Sequence, residues 1–311
     1  MEIIGIILPV FGIVLLGYVA GKSKLFKPSD IEGISKFVFN IAIPVMLFRT
    51  MANVELPDQI EWGFLLSYYI GAFAVYGFGM LTGRIAFSQN LGEQGVFGLG
   101  AAYSNLVLLG IPLVELAFKG AGALPLFMLL AFHSALMFFT VSALGELSRG
   151  KGEPFGKLVK LTFLGLIKNP IFDGLMLGLL FNLLDWTIPG PLDQIIETLG
   201  GAGVPGAVFS LGASLSLYRL SGHLSQTMTL VGLKLLIHPV LVYLLGNFVF
   251  RVDPLWTSVA VLVAALPVGV NVYLFAQRYH ACIAPVATSI LISTSLSVVT
   301  ISVLLILLNI A

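Results

Sequence analysis

The stretches AAYSNLVLLGIPLVEL, residues 101–116, and AALPVGVNVYLF, residues 264–275, are long apolar segments that proline and glycine interrupt. A proline inside a helix removes one hydrogen bond and leaves a carbonyl oxygen without a donor. In hydrocarbon, such a backbone is tolerated only where protein packs on it or where it lines a watery cavity. Paired interruptions at corresponding places in the two halves of a chain indicate the binding site of a membrane transporter. The residues that mark them here are Asn105, Gly110, Pro112, Pro267, Gly269 and Asn271.

The composition around these segments is that of a membrane protein. Of the 311 residues, 58% are hydrophobic and only 10% are charged, whereas about a quarter of a soluble protein is charged. The net charge of +1 argues against a nucleic-acid partner. The single cysteine, Cys282, excludes an intrachain disulfide. We find no metal-ligand cluster and no phosphate-binding loop, so the sequence predicts no cofactor and no metal.

At about 20 apolar residues per span, the sequence predicts an all-α membrane protein of ten transmembrane helices. A hydrophilic stretch at residues 148–168 follows the fifth span and divides the chain almost in half. It is predicted to be a cytoplasmic linker, and its lysines and apolar residues fit either an amphipathic interfacial helix or a plain basic connection. The predicted spans are residues 3–21, 31–51, 62–83, 95–117, 122–145, 169–185, 192–216, 227–249, 255–277 and 285–310.

Basic residues fall mostly on one side of this topology. Twelve of the sixteen lie in or beside the connections that follow odd-numbered spans, and three lie on the other side. The positive-inside rule therefore predicts a multi-pass protein of a bacterial-type plasma (inner) membrane with both termini extracytoplasmic. The twelve are Lys22, Lys24, Lys27, Lys36, Arg84, Arg149, Lys151, Lys157, Lys160, Lys168, Arg219 and Arg278.

The two halves, residues 1–147 and 169–311, also share a pattern of prolines. Pro44 in the second span corresponds to Pro205 in the seventh, and Pro112 in the fourth span corresponds to Pro267 in the ninth. The two offsets, 161 and 155 residues, are nearly equal. Because each half holds five spans, the second copy must lie upside down in the membrane, which is the inverted-repeat plan of many secondary transporters.

These motifs resemble those of the auxin efflux carrier family, which includes plant carriers and bacterial members that are similar to malonate transporters. The resemblance rests on Asn105 with the GIPL motif at 110–113, and on Pro267, Asn271 and Tyr279. It covers essentially the whole chain. It implies that spans 4 and 9 are broken helices that cross, with spans 1, 2, 6 and 7 as a scaffold and spans 3–5 and 8–10 as a transport domain. The fold would then be related to that of the bile-acid sodium symporters.

The interrupted spans supply the candidate substrate-binding residues. We expect Pro112 to begin a new half-helix, and Pro267 with Gly269 to do the same from the opposite direction. A half-helix N-terminus carries about half a positive charge and can face a carboxylate. Asn105 and Asn271 each offer one acceptor and two donors, either to a substrate or only to freed backbone groups. Tyr103, Ser104 and Gly110 would extend the lining of the site.

Three further polar residues lie inside predicted spans. Lys234 and His238 are four residues apart and therefore share a face of span 8. They are predicted to couple transport to an ion or to balance charge, as a resident cation or a proton relay; the alternative is a structural lysine bonded to freed carbonyls. His133, next to Ser134, lines the substrate site or simply bonds a neighbouring helix.

Together these patterns predict a secondary transporter for a small organic anion such as a carboxylate. It would work by elevator-type alternating access where spans 4 and 9 cross. An anion or solute channel is the first alternative, and an intramembrane enzyme is the second, for which we find no nucleophile–base pair. The sequence leaves open which anion is moved, in which direction, with which coupling ion, and whether the protein forms a homodimer.

Overall fold

The computed structural model describes residues 2–56, 61–149, 155–218 and 223–310, and these residues form helices without any β-strand. Lys151, Arg219 and part of the predicted linker lie outside the described residues. The helices are Glu2–Lys22, Pro28–Phe37, Val38–Ala42, Ile43–Asn53, Trp62–Phe87, Leu91–Ala102, Leu106–Gly110, Ile111–Phe118, Ala123–Ser148, Phe155–Ile167, Pro170–Leu183, Gly190–Gly201, Gly203–Leu215, Leu224–Gly232, Leu233–Ile237, His238–Leu244, Leu245–Val249, Pro254–Ala264, Asn271–Tyr279 and Ile283–Leu307.

Seven helical segments of the described chain are long and apolar enough to cross a membrane. They are Ile4–Lys22, Pro28–Asn53, Trp62–Phe87, Ala123–Ser148, Gly190–Leu215, Leu224–Val249 and Ile283–Leu307. The pair Val159–Ile167 and Pro170–Leu183, bent by 68°, makes an eighth if it counts as one span. By length and composition the structure thus supports seven or eight spans of the ten predicted. The two remaining predicted spans, 95–117 and 255–277, are each divided into shorter helices.

Three prolines follow a π-helical turn and lie at the start of the α-helix that comes next. Val38–Ala42 precedes Pro44, Leu106–Gly110 precedes Pro112, and Leu233–Ile237 precedes Pro239. The wider turn makes room for the proline ring, and its different hydrogen-bond pattern accommodates the absence of the proline N–H. The expectation that Pro112 begins a new half-helix is therefore wrong, because Leu106–Phe118 is one continuous apolar helix.

The chain divides into two compact units. The first contains Met1–Ile60, Val107–Ala131 and Phe163–Leu217. In it, Ile43–Asn53 packs on Pro170–Leu183, because Gly174 and Gly178 leave room for the carbonyl groups of Pro44 and Phe48.

The second unit contains Glu61–Leu106, Phe132–Thr162 and Tyr218–Ala311. In it, Trp62–Phe87 packs on Leu91–Ala102 and on His238–Leu244. Phe64, Tyr68 and Phe97 are fully buried in its core.

Candidate functional site

The two interrupted spans meet inside the second unit. Residues 103–105, the first break, separate Leu91–Ala102 from the helix that begins at Leu106. Residues 265–270, the second break, separate Pro254–Ala264 from Asn271–Tyr279. Because neither segment is helical, its backbone groups need partners from elsewhere.

The two breaks bond to each other through an isolated antiparallel bridge between Ser104 and Val268. The N–H of Asn105 donates to the carbonyl of Pro267 at 3.1 Å, and the N–H of Gly269 donates to the carbonyl of Tyr103 at 3.0 Å. Each break therefore satisfies part of the backbone of the other. Such exchange is what allows irregular chain at membrane depth.

Pro267 lies within the second break, four residues before the next helix begins at Asn271. It supplies a backbone acceptor and does not start a half-helix, which corrects the expectation from sequence. Gly269 has a steric role, since a Cβ atom there would overlap the ring of Tyr103. The N–H of Val268 donates to the hydroxyl of Ser293 at 3.1 Å, which anchors the second break to the last helix.

The hydroxyl of Tyr103 is the centre of a hydrogen-bonded group of polar side chains. The amide nitrogen of Asn271 donates to the Tyr103 hydroxyl at 3.3 Å, and this hydroxyl lies 2.9 Å from that of Ser134. Asn105 is buried beside it, and its amide nitrogen has no acceptor in the described part of the chain. Both asparagines lie at the start of a helix, since Asn105 directly precedes the helix that begins at Leu106 and Asn271 is the first residue of Asn271–Tyr279.

His133 contacts the first break directly. The backbone N–H of Ser104 donates to its Nε2 at 3.2 Å, and its ring stacks on Tyr103 with centroids 4.7 Å apart. The ring of Tyr68 lies 5.7 Å away, and the Tyr68 hydroxyl is 3.5 Å from that of Ser104. His133 is buried, and its Nδ1 has no hydrogen-bond partner among the described residues.

Lys234 is fully buried next to the second break. Its Nζ donates to the carbonyl of Ala264 at 2.5 Å and lies 3.3 Å from Nδ1 of His238. Ala264 is the last residue of the helix before the break, so this carbonyl carries the partial negative charge of a helix C-terminus. Within the described chain, no carboxylate forms an ion pair with Lys234.

The second histidine of this cluster also has an unused nitrogen. His238 is fully buried, and its Nε2 finds no partner in the described residues. Its ring lies 5.6 Å from that of Tyr68, which therefore stands next to both histidines. The predicted contact between Lys234 and His238 across one turn is present.

The structure thus brings most of the predicted site residues into one cluster in the second unit. Gly110 and Pro112 instead belong to the first unit, where they continue the helix that begins at Leu106. The sequence reasoning missed Tyr68, Ser134 and Ser293. Only Ser134 carried a signal, its position next to His133 in an otherwise apolar span. The members of the cluster are Tyr103, Ser104, Asn105, His133, Lys234, His238, Pro267, Gly269 and Asn271.

The first unit holds a cavity of its own, with a volume of about 950 Å³. Arg49 lies at its wall, where its Nε and Nη2 donate to both oxygens of Asp193 at 2.6 and 2.9 Å. A further hydrogen bond joins Nη2 to Glu197 at 3.3 Å. Glu115 and Asp185 also line the cavity, so carboxylates outnumber cations there.

Comparison with known proteins places this chain among membrane transporters. The sequence model described as "Membrane transport protein" matches residues 2–305. A protein of Rhizobium meliloti named "Putative malonate transporter" is 29% identical over 310 residues, covering 98% of this chain and 95% of the relative. "Auxin efflux carrier component 8" of Arabidopsis thaliana is 23% identical, covering 90% of each chain. "Lysosomal cholesterol signaling protein" of the mouse is 28% identical, but this chain spans only 36% of its length.

Proposed function

This chain belongs to the membrane transport protein family, and we propose that it is a secondary transporter for a small organic anion that carries a carboxylate. Its resemblance to the auxin efflux carriers is confirmed by the relatives that it matches. The observation that carries the proposal is a fully buried lysine, Lys234, in a cluster where Asn105, His133 and His238 each have a nitrogen without a partner. Among the described residues, no buried carboxylate accompanies them.

An anion would complete this arrangement. A buried ammonium group and buried N–H groups are costly unless acceptors face them. Asn105 and His238 each present such a nitrogen beside the two breaks. The helices that begin at Leu106 and Asn271 add partial positive charge from their first turns. A carboxylate supplies the acceptors and the negative charge that all of these groups need.

The substrate that we propose is a small carboxylate of the malonate type. The name of the Rhizobium meliloti relative supports a dicarboxylate. Monocarboxylates and aromatic weak acids carry the same group and are the alternatives. A thermal-shift series of the purified protein against these acids, with and without sodium, would rank them.

The architecture that fits this function has ten spans in two inverted five-span repeats. Spans 4 and 9 would be the broken helices that cross at the site, and spans 1, 2, 6 and 7 would form the scaffold. The transport domain of spans 3–5 and 8–10 would carry the substrate across as a body. The hydrogen bonds between the two breaks support this mechanism, since they tie both halves of the site into one unit.

Counterflow in reconstituted vesicles tests the function. Vesicles are loaded with unlabelled malonate, and the uptake of labelled malonate is then followed over time. A carrier should show saturable uptake that is faster into loaded vesicles than into empty ones. A channel should show neither property. Turnover of malonate without any gradient would favour the enzyme instead.

We also propose that both termini lie outside the cytoplasm. Cysteines introduced at either end of the chain, on a background with Cys282 replaced, should react with an impermeant thiol reagent in intact cells. Protection of both ends would reverse the topology that the basic residues predict.

A further inference from the structure

The hydrogen bond from Ser104 to His133 fixes the protonation state of the histidine. A backbone N–H can only donate, so the Nε2 atom that lies 3.2 Å from it must offer a lone pair. The ring is therefore neutral in this structure and carries its proton on Nδ1. A doubly protonated ring would place one donor against another.

The groups that surround the ring of His133 are aromatic or basic. Tyr103 from the first break stacks on one face of the ring, and Tyr68 from Trp62–Phe87 lies at its edge. Lys234 and His238, both from the Leu224–Val249 segment, are the titratable groups that act on it electrostatically. Among the described residues, no aspartate or glutamate takes part in these contacts.

We propose that His133 is a positioning residue that holds the first break in its site-forming conformation only while its imidazole is neutral. The inference rests on the proposed transport function and adds a proton-sensitive latch to it. Ser104 lies in the bridge with Val268, between the two residues whose backbone groups bond the second break. Uptake of a proton at Nε2 would release Ser104 and loosen both hydrogen bonds that join the breaks.

The sign of the effect follows from this geometry. The assembled site exists where His133 is neutral and is lost as the pH falls through its titration. Below the midpoint, the population of the assembled site should fall about tenfold for each pH unit, the slope of one titrating group. The latch would make the protein inactive in acid without any change in the charge of its substrate.

Two substitutions of His133 distinguish the effect of its hydrogen bond to Ser104 from the effect of its protonation. In His133→Gln, an amide oxygen can accept from Ser104 at every pH. Uptake by this variant, relative to its own value at neutral pH, should therefore lack the decline in acid that titration of the histidine causes. In His133→Phe, no acceptor remains, and uptake at every pH should stay about 5- to 150-fold below the level that wild type reaches at neutral pH. His280→Gln changes an exposed histidine and should keep the wild-type profile.

The expected result is uptake by wild type and His280→Gln that falls in acid more steeply than uptake by His133→Gln. Since all variants move the same acid, titration of the substrate cancels in this comparison. The proposal would be overturned if uptake fell equally in acid in wild type and His133→Gln. It would also be overturned if uptake by His133→Phe matched that of wild type across the pH range.

A second readout does not need a substrate. Nitrogen NMR of histidine-labelled protein should show His133 with its proton on Nδ1 at neutral pH. Hydrogen exchange of a peptide that covers residues 99–108 should be faster in wild type than in His133→Gln at acidic pH and equal at neutral pH. Failure of wild-type protein to move malonate would contradict the proposed substrate, and this second readout would still decide the latch. A proton on Nε2 at neutral pH, or equal exchange in acid, would overturn it.

Discussion

Two basic residues in membrane helices show how differently the two units treat a charge. Arg49 in the first unit bonds both oxygens of Asp193 and reaches Glu197, with 35% of its side chain exposed. Lys234 in the second unit is fully buried and bonds only a backbone carbonyl and a ring nitrogen. The first cation is balanced within its own unit.

This difference separates a structural charge from one that is available for function. An ion pair with partial exposure holds two helices in register and contributes little free energy. A buried cation without a carboxylate is costly, and a protein keeps it where an anionic ligand can balance its charge or where it can release its proton. The location of Lys234 at the second break, where two spans have given up helical hydrogen bonds, points to the ligand.

Removal of the Lys234 amine should have the largest effect on transport of all the substitutions considered. Lys234→Gln should reduce malonate transport by about 30- to 5,000-fold, the effect of truncating a buried charge pair of about 2–5 kcal/mol. His238→Gln should cost far less. The measurement is initial uptake in vesicles with clamped potential, normalised to folded protein. A larger loss in His238→Gln would favour a proton relay through that histidine.

The amides at the breaks should show the next largest effect. Asn105→Ala and Asn271→Ala would each remove a donor that we propose for the bound carboxylate, which costs about 1–3 kcal/mol and should weaken substrate binding about 5- to 150-fold. Asn247→Ala is the matched control, since Asn247 is exposed and bonds Tyr243 within the same Leu224–Val249 segment. Binding can be followed by thermal shift with malonate. Wild-type affinity in both variants would locate the site elsewhere.

The balanced charge of the first unit should matter least to transport. Arg49→Gln should lower the free energy of unfolding by about 0–1 kcal/mol, because its ion pair is partly exposed. A double-mutant cycle with Asp193→Asn measures the coupling between the two side chains directly. Transport per folded molecule should stay close to wild type. A loss as large as that of Lys234→Gln would show that the two cations are functionally alike.

Sodium should have no effect at all. The usual ligands of hard cations are oxygen atoms, especially those of carboxylates, and the described cluster contains a buried lysine and no carboxylate. Uptake with and without a sodium gradient, at fixed membrane potential, should be the same within error. Strict sodium dependence would mean that carbonyl groups of the breaks bind the ion.

The sequence predicted most residues of the candidate site, and the structure brings them together, but the course of the chain through that site was predicted incorrectly at both prolines. Asn105 and Asn271 lie in apolar segments where an amide is conspicuous, and Lys234 and His238 are one helical turn apart, so both pairs could be identified from spacing alone. The prediction at Pro112 was wrong because the π-helical turn before it accommodates the proline ring without ending the helix. The helix is interrupted at residues 103–105 instead. Ser293 and Tyr68 act through contacts far apart in sequence, which no local pattern contains.

The bridge between Ser104 and Val268 has a consequence for how the protein is made. About half of the chain separates the two residues, so during synthesis the first break enters the membrane long before its partner exists. The backbone of Tyr103 and Asn105 would meanwhile face hydrocarbon with groups that lack partners. The segment that contains the first break should therefore stay at the insertion machinery, or in a water-accessible position, until residues 265–270 emerge. Chains truncated before the second break should be recognised as unfinished and degraded.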